Sequence, residues 1–347
     1  MQIGVGVIGA GAIAEIVHLP AYRDLAEAKL IAVCDTNAER AKTMAHKFGV
    51  ENWLTDYKEL LERDDIKAVS ICTPNFLHHD HATAAAAAGK HILLEKPMAP
   101  SLKECDKIIS ACTKAKVKLM IGVNSRFEPV NERVKKLLDE EVLGKVFQIR
   151  YHAAYAGPYE FWPAVSDWFF DTSKVGGGCL MDAGVHFIDL LRWFLGDVSS
   201  VCAIGGNIVR GIDGEDNALV LLTFKAGALG ELDVSWTYSL QAKKYDLRAE
   251  ILGTEGGIFI SPSSSPVTVY SETKIPQSFA GPINLDFPSS TGEIMSFQRK
   301  KIEHFIESIL QDRKPIVSGE DGRAVIEIVL ASYESMRTGK RVQLPLR

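Results

Sequence analysis

The spacing of apolar residues changes character near residue 124. Before that point, short apolar runs of strand length alternate with segments of helical periodicity, which is typical of a parallel sheet with helices on both faces. The predicted strands are Gly4–Ile8, Leu30–Cys34, Ala68–Cys72, His91–Leu94 and Leu119–Val123. The predicted helices begin near Glu15 and then cover 38–48, 56–61, 79–88 and 102–115. We therefore predict one doubly wound α/β domain for residues 1–123.

Beyond residue 124, strands joined by hairpin-length turns dominate the pattern. Strands are predicted at 146–152, 199–209, 218–224, 229–236, 247–252, 258–260 and 267–270, and helices at 131–138, 296–311 and 322–338. The Ser- and Pro-rich segment Ser261–Ser290 is predicted to be a surface excursion. Residues 124–347 should thus form an α+β domain for substrate binding and oligomerisation, with a large open, mostly antiparallel sheet. A partner subunit could cover the outer face of this sheet in a homodimer or homotetramer.

Composition narrows the class of protein. A chain of 347 residues is long for a single core and favours two domains, while 46% hydrophobic and 24% charged residues are typical of soluble proteins. We expect a cytoplasmic location and no membrane partner, because neither a long apolar run nor a signal-peptide pattern is present. A net charge of −5 without a basic cluster gives no reason to expect nucleic acid. The six cysteines lack the spacing of zinc sites and are predicted to be buried, reduced thiols.

A glycine-rich turn follows the first strand and opens a helix. Gly9 would form the turn, Gly11 would let a pyrophosphate approach the backbone, and Ala14 would allow close packing of helix and strand. Asp35 ends the second strand, where a carboxylate can accept hydrogen bonds from a ribose diol and repel a 2'-phosphate. This is the pattern of a Rossmann domain that prefers NAD to NADP, although Thr36, Asn37 and Arg40 could still hold a phosphate.

Polar turns follow three further strands of the first domain. These turns are Thr73-Pro74-Asn75, Glu95-Lys96-Pro97 and Asn124-Ser125-Arg126. Because parallel strands end at one edge of a sheet, we expect the turns to lie beside the nicotinamide half of the cofactor. Lys96 could donate a hydrogen bond to a substrate oxygen and stabilise alkoxide charge. Glu95 could be the ion-pair partner of Lys96 or a helix cap, and Pro97 could follow a cis bond.

Three histidines at 78, 79 and 81 resemble a metal cluster at first sight. Neighbouring helical residues point in different directions, and no acid elsewhere completes a shell of ligands. We therefore predict no metal site and place His78 nearest the cofactor.

In the second domain, an aromatic segment precedes a triple glycine. Its aromatic residues are Tyr155, Tyr159, Phe161, Trp162, Trp168, Phe169 and Phe170. They could plug a core or form the wall of a sugar site. After Gly176–Gly178, Asp182 and His186 stand four residues apart, on one helix face, with Asp189 on the same side. A carboxylate that orients an imidazole suits a general base, and this pair is predicted to be catalytic.

Together, the glycine turn, the three polar turns and the block from Gly176 to Asp189 resemble the glucose-fructose oxidoreductase, inositol dehydrogenase and rhizopine catabolism family of NAD(P)-dependent oxidoreductases. The resemblance covers nearly the whole chain. It implies a Rossmann domain followed by an α/β domain with an open sheet, and often dimers or tetramers. It also implies that Lys96 is the catalytic lysine, Asp182 the substrate-site aspartate and His186 the proton-transferring histidine. Ala14 replaces the third glycine of the dinucleotide pattern.

These considerations define the predicted site residues. The catalytic residues are Lys96, Asp182 and His186. The residues predicted to bind NAD are Gly9, Gly11, Ala12, Ile13, Asp35, Thr36, Arg40, Thr73, Asn75, His78, Glu95, Lys96 and Asn124. The residues predicted to bind substrate are Lys96, Arg126, Tyr155, Trp168, Asp182 and His186.

The leading hypothesis is reversible hydride transfer between NAD and a secondary hydroxyl of a sugar, polyol or inositol. His186 would remove the hydroxyl proton while Lys96 holds the same oxygen. Two alternatives stay open, an NAD-dependent glycoside hydrolase that acts by transient oxidation and a sensor that binds the dinucleotide and a sugar without chemistry. The presence of Lys96, Asp182 and His186 together argues against the sensor.

Overall fold

The computed structural model describes residues 2–158, 167–238, 246–260, 268–271 and 291–346. The chain divides into two compact units, Met1–Val123 with Met295–Ile326, and Asn124–Ile294 with Glu327–Arg347. The predicted domains did not anticipate that 295–326 packs with the first unit. Most of the predicted excursion Ser261–Ser290 lies outside the described residues, as do Tyr159, Phe161 and Trp162. Within the described part of the chain, no helix is both long and apolar enough to span a bilayer.

The first unit is built on a parallel sheet, which confirms the Rossmann fold. Its strands are β1 (Ile3–Ile8), β2 (Ala28–Cys34), β3 (Asn52–Leu54), β4 (Ala68–Ile71), β5 (His91–Leu94) and β6 (Leu119–Ile121). Over the described residues their order is β3-β2-β1-β4-β5-β6, and all neighbouring strands are parallel. The order reverses between β1 and β4, where such sheets bind ligands.

Helices connect these strands and begin at local capping signals. They are α1 (Leu19–Asp24), α2 (Ala38–Phe48), α3 (Tyr57–Leu61), α4 (His78–Ala87) and α5 (Leu102–Ala115). Asn37 caps α2 by accepting a hydrogen bond from the Arg40 amide at 3.1 Å, and Ser101 caps α5 through the Glu104 amide at 3.3 Å. Strand β3 was not predicted because three residues are too few to show a periodicity.

The segment 295–326 completes the edge of this sheet beside β6. It contains most of α9 (Thr291–Leu310) and the beginning of α10 (Gly319–Thr338). The amide of Ile121 donates to the carbonyl of Val317 at 3.0 Å. A Cβ added to Gly319 would lie 2.7 Å from a methyl group of Leu119, so α10 begins in direct contact with β6.

The second unit contains a large, mostly antiparallel sheet. Its strands are β7 (Val146–Ala154), β8 (Val198–Gly206), β9 (Asn217–Phe224), β10 (Leu229–Ser235), β11 (Asp246–Gly253), β12 (Gly256–Ile260), β13 (Thr268–Ser271) and β14 (Val342–Gln343). Over the described residues the order is β13-β12-β11-β7-β10-β9-β8-β14, with β7 and β10 parallel. The helices of this unit before residue 200 are α6 (Pro129–Asp139), α7 (Thr172–Val175) and α8 (Val185–Leu195). Helix α8 packs on the sheet through Phe187, whose ring centroid lies 5.0 Å from that of Tyr151.

The strand predicted to reach Val209 ends earlier, at Gly206. The buried carboxylate of Asp216 accepts hydrogen bonds from three successive amides, those of Ile208, Val209 and Arg210, at 2.8, 2.8 and 2.7 Å. These amides are therefore turned toward one side chain and cannot continue the ladder of β8.

We predict that Gly4→Ala destabilises the first unit, because the added Cβ would lie 1.8 Å from the carbonyl oxygen of Asp65. Relieving this overlap requires a backbone shift, which should lower the free energy of unfolding by about 2 kcal/mol or more. Urea denaturation measures the change. Gly206→Ala is the matched control, since its nearest neighbour would be 3.8 Å away. Equal stability of the two variants would contradict the packing of β1.

Candidate active site

The turn after β1 has the geometry expected of a dinucleotide-binding turn. Gly9 has a φ of +93°, and a Cβ at this position would lie 2.8 Å from the carbonyl group of Cys72. A Cβ on Gly11 would meet nothing within 4 Å. The packing of the chain therefore requires glycine at position 9, whereas glycine at position 11 leaves open space beside the backbone, as a diphosphate needs.

The helix after this turn starts in an unusual way. Residues Ala14–His18 form a π-helical turn, which then continues into α1. Ala14 is fully buried, as the predicted close packing requires, while Ala12 and Ile13 are half-buried. No side chain caps the π-helical turn at Ile13. Amides at such a start are suited to bind an anion.

Asp35 lies at the end of β2 and connects the turns that follow β1 and β2. Its carboxylate accepts hydrogen bonds from the amides of Ala10 and Asn37, both at 2.9 Å. The guanidinium of Arg40 lies 3.5 Å from Asp35 Oδ2 and is half-exposed. Thr36 is exposed beside them. The residues predicted for the adenosine ribose therefore lie together in the first unit.

His78 connects two of the polar turns. Its Nδ1 lies 2.9 Å from the carbonyl oxygen of Pro97, and its Nε2 lies 2.9 Å from that of Thr73. Burial lowers the pKa of His78 despite these two carbonyls. Both ring nitrogens thus contact the backbone, which gives this histidine a role in the structure of the turns in addition to the predicted cofactor contact.

The other two histidines of the cluster have local partners. His79 Nδ1 lies 2.7 Å from Asp80, and His81 Nδ1 lies 3.0 Å from the hydroxyl of Thr73. Burial, together with the neighbouring His78, lowers the pKa of His81 to about 4. Among the described residues, no group of three His, Cys, Asp or Glu side chains is arranged to hold a metal ion.

The turn after β5 presents Lys96 from a buried run. Residues 92–95 and 97–99 are buried, whereas Lys96 is half-buried, and the Lys96–Pro97 peptide bond is cis. Glu95 is ion-paired with Lys301 of α9 at 2.8 Å. Asn75 is buried in the turn after β4, and Asn124 is half-buried at the first residue of the second unit.

In the second unit, Asp182 lies in a second π-helical turn. Residues Leu180–Gly184 form this turn, and α8, which carries His186, follows directly. The hydroxyl of Tyr155 donates to Asp182 Oδ2 at 3.2 Å, and the indole of Trp236 donates to the hydroxyl of Tyr155 at 2.7 Å. Because the tyrosine oxygen accepts from the indole, its own proton is directed at the carboxylate. Sequence reasoning placed Trp236 at the end of a strand and missed this contact.

Close packing explains the second and third residues of the triple glycine. A Cβ on Gly177 would lie 1.9 Å from the Tyr333 hydroxyl, and a Cβ on Gly178 would lie 2.0 Å from the Glu215 carbonyl oxygen. The Glu215 side chain accepts hydrogen bonds from Gly178 N at 2.9 Å, Leu180 N at 2.8 Å and Tyr333 at 3.0 Å. Burial raises the pKa of this carboxyl. Glu215 and Tyr333 therefore hold the segment that leads to Asp182, and sequence reasoning singled out neither.

Arg126 has a partner inside the second unit. Its guanidinium forms two hydrogen bonds with the buried carboxylate of Asp189, at 2.7 and 2.6 Å. This ion pair joins the turn at Asn124–Arg126 to helix α8. The arginine was predicted to bind substrate, and the contact observed in the structure is this ion pair with Asp189.

The described part of the aromatic segment includes Trp168 and Phe169, whose ring centroids are 5.5 Å apart. Phe169 also lies 6.1 Å from Trp236. This part of the segment packs against Trp236, which donates a hydrogen bond to Tyr155.

All six cysteines are free thiols, and all except the half-buried Cys202 are buried.

Comparisons with known proteins identify the class of enzyme. Residues 3–123 match the model of an oxidoreductase family with an NAD-binding Rossmann fold, and residues 131–259 match the GFO/IDH/MocA C-terminal domain. The chain is 30% identical over 345 residues to a myo-inositol 2-dehydrogenase of Thermotoga maritima, with 98% of each chain covered. It is 30% identical over 354 residues to a scyllo-inositol 2-dehydrogenase (NAD(+)) of Bacillus subtilis, covering 100% of this chain and 97% of the relative. A solved levoglucosan dehydrogenase in complex with NADH has a TM-score of 0.89 at 25% identity, with 100% of both chains covered.

The fold, the glycine turn and these matches define the protein as an oxidoreductase with an NAD-binding Rossmann domain. The chain belongs to the glucose-fructose oxidoreductase, inositol dehydrogenase and rhizopine catabolism family. The predicted family, fold class, enzymatic nature and dinucleotide cofactor are thereby confirmed. The roles assigned to individual side chains stay predictions.

Asp35→Asn should weaken the preference for NAD. The amide keeps the shape of the side chain but loses the charge that repels a 2'-phosphate, while Arg40 remains 3.5 Å from this position. We expect the ratio of the Kd for NADP to the Kd for NAD to fall about tenfold or more, roughly the effect of one charge contact. Calorimetric titration with both dinucleotides measures the ratio. Asp56→Asn, at the cap of α3, is the control, and an unchanged ratio in Asp35→Asn would contradict the assignment.

Proposed function

We propose that this enzyme transfers a hydride between NAD and a secondary hydroxyl or ketone of a sugar, polyol or inositol. The names of the relatives support this substrate class, since they include two inositol dehydrogenases and levoglucosan dehydrogenase. When bound, NAD supplies the hydride acceptor. Gly9, Gly11 and Asp35 would hold the dinucleotide, since Gly11 leaves space at the backbone and Asp35 presents a carboxylate.

In this proposal three side chains act on the reacting hydroxyl group of the substrate. His186 accepts the hydroxyl proton, Lys96 donates a hydrogen bond to the same oxygen, and Asp182 orients the imidazole. Tyr155, Trp168 and Arg126 are retained as proposed substrate contacts. The observation that carries the proposal is the fixed carboxylate of Asp182, which Tyr155 and Trp236 hold through consecutive hydrogen bonds at 3.2 and 2.7 Å.

A thermal-shift screen identifies the substrate. NAD is held at saturation while sugars, inositols, other polyols and their keto forms are varied, because a ligand that binds only the folded state raises its melting temperature. Compounds that raise it are then tested for reduction of NAD. Release of free sugar from an aryl glycoside without net NADH would favour a hydrolase, and binding without reduction across the panel would favour a sensor.

His186→Ala should lower kcat by about a hundredfold or more while the Kd for NAD stays unchanged, because only the proton acceptor is removed. Steady-state kinetics with the best substrate and calorimetry with NAD measure the two quantities. His79→Ala serves as the control, since His79 pairs with Asp80 on the outside of α4. A His186→Ala enzyme with wild-type kcat would exclude this histidine as the base.

We also propose that two copies of the chain associate through the outer face of the second sheet. Among the residues that the structure describes, the exposed apolar side chains on this face include Ile204, Leu219, Leu221 and Leu229. Ile204 is directly opposite Leu219 in the register of β8 and β9. Arg150 continues the face with charged contacts to Glu231 and Glu250. Apolar residues bordered by charges suit an interface between subunits.

Leu221→Asp should therefore reduce the mass of the particle in solution. The leucine is 55% exposed, and a carboxylate there would lose its hydration in an interface between subunits. Multi-angle light scattering measures the mass. Leu310→Asp is the control, because Leu310 is 40% exposed at the end of α9 and outside the sheet. An assembly that survives Leu221→Asp, or a monomeric wild-type protein, would contradict the proposal.

A further inference from the structure

A buried charge cluster surrounds Glu95 in the first unit. Glu95 Oε1 lies 2.8 Å from Lys301 Nζ and 2.9 Å from His18 Nε2. His18 is fully buried, and Lys301 is only 1% exposed although it carries an ammonium group. A charge this deeply buried requires a partner of opposite sign, and within the cluster the carboxylate of Glu95 is that partner.

The hydrogen bonds of this cluster have one consistent direction. An ionised Glu95 can only accept, so His18 Nε2 carries the proton and Nδ1 is left as an acceptor. The hydroxyl of Ser70 then donates to His18 Nδ1 at 3.0 Å, and the hydroxyl of Tyr22 donates to Ser70 at 2.8 Å. Each donor is therefore directed toward the carboxylate, which fixes its position between β4, β5 and the π-helical turn.

Lys301 is the member of the cluster that lies farthest from Glu95 in the sequence. It lies 206 residues after Glu95, on α9, and its ammonium also approaches the carbonyl oxygen of Gly122 at 3.3 Å. A Cβ on Gly122 would lie 2.7 Å from Glu95 Oε1, so the end of β6 packs directly on the carboxylate. The lysine thus connects the carboxyl ends of β5 and β6.

The backbone of Lys96 is attached to this cluster. Its amide donates to Glu95 Oε2 at 3.2 Å, on the oxygen opposite to the one that binds Lys301. We propose that Lys301 is a positioning residue, which holds Glu95 and thereby fixes where the chain turns to present the Lys96 side chain. This inference rests on the proposed function, in which Lys96 contacts the substrate oxygen.

The ionisation of Glu95 is consistent with this arrangement. Burial alone would raise the pKa of Glu95, but the charge of Lys301 and the hydrogen bond from His18 hold it well below its ordinary value. For His18, burial disfavours the charged imidazolium and lowers the pKa. Without Lys301, the carboxylate would keep only the neutral donors of the cluster, and the pair formed by Glu95 and His18 would take up a proton more readily.

The test is a double-mutant cycle of Lys301→Met, Glu95→Gln and the double variant, assayed with saturating NAD and substrate. Lys301→Met should lower kcat about tenfold or more, because an uncompensated buried carboxylate displaces the turn. In the Glu95→Gln background the same change should cost less than twofold, since no buried charge remains. Lys300→Met is the matched control, as Lys300 is its exposed neighbour on α9. If Lys301→Met gives no folded protein, Lys301→Gln completes the cycle.

Two further readouts separate positioning from a general loss of structure. Amide hydrogen exchange at Lys96 should be faster in Lys301→Met and return toward the wild-type rate in the double variant, with or without substrate. The deficit in kcat of Lys301→Met should also shrink as the pH falls, because a proton on Glu95 or His18 removes the unbalanced charge, and the double variant should show no such dependence.

The inference is overturned if folded Lys301→Met keeps a kcat within twofold of wild type, or if the two substitutions act independently on both kcat and exchange at Lys96. Wild-type protein that reduces no NAD with any compound would contradict the proposed function instead. In that case the exchange measurement still decides whether Lys301 positions the turn.

Discussion

The structure of the first unit depends on the pairing of one buried carboxylate. Glu95 directly follows β5 and is buried, and an isolated charge there would be strongly unfavourable. The carboxylate of Glu95 lies 2.8 Å from the ammonium of Lys301, and this pair requires α9 to pack with the Rossmann sheet. Lys301 lies 206 residues after Glu95 in the sequence. This constraint gives a physical reason why residues 295–326 belong to the first unit. The same carboxylate also accepts a hydrogen bond from the Lys96 amide at 3.2 Å.

In the second unit, hydrogen bonds hold the carboxylates of Asp182 and Glu215. Asp182 lies in the π-helical turn that leads into α8, and Glu215, just before β9, accepts hydrogen bonds from the start of that turn. Aromatic hydroxyl groups donate to both carboxylates. The close approach of Tyr333 and Glu215 excludes side chains at Gly177 and Gly178. A π-helical turn occurs here and another follows the glycine turn of the first unit, and such turns are frequent at functional sites.

Sequence reasoning succeeded where the signal is local. Five of the six strands of the Rossmann sheet and the helices between them follow from apolar periodicity, and Gly9 and Asp35 directly follow β1 and β2 as predicted. Their contacts with the cofactor stay predictions. It failed where partners are distant, as in Lys301 with Glu95, Tyr333 with Glu215 and Trp236 with Tyr155, which are separated by 206, 118 and 81 residues. Each of these residues looks like an ordinary helical or strand residue by itself. Arg126 is a similar case, since its place in a polar turn predicted a substrate contact but could not predict the ion pair with Asp189, 63 residues away.

In the proposed reaction, a hydride moves from a substrate carbon to NAD. The most direct measurement uses the compound that stabilises the NAD-bound protein most, prepared with deuterium on the carbon that bears the reacting hydroxyl. Mass spectrometry of the recovered dinucleotide should show reduced NAD that carries the deuterium. Reduced NAD without deuterium, or no reduced NAD with any compound that binds, would exclude this reaction.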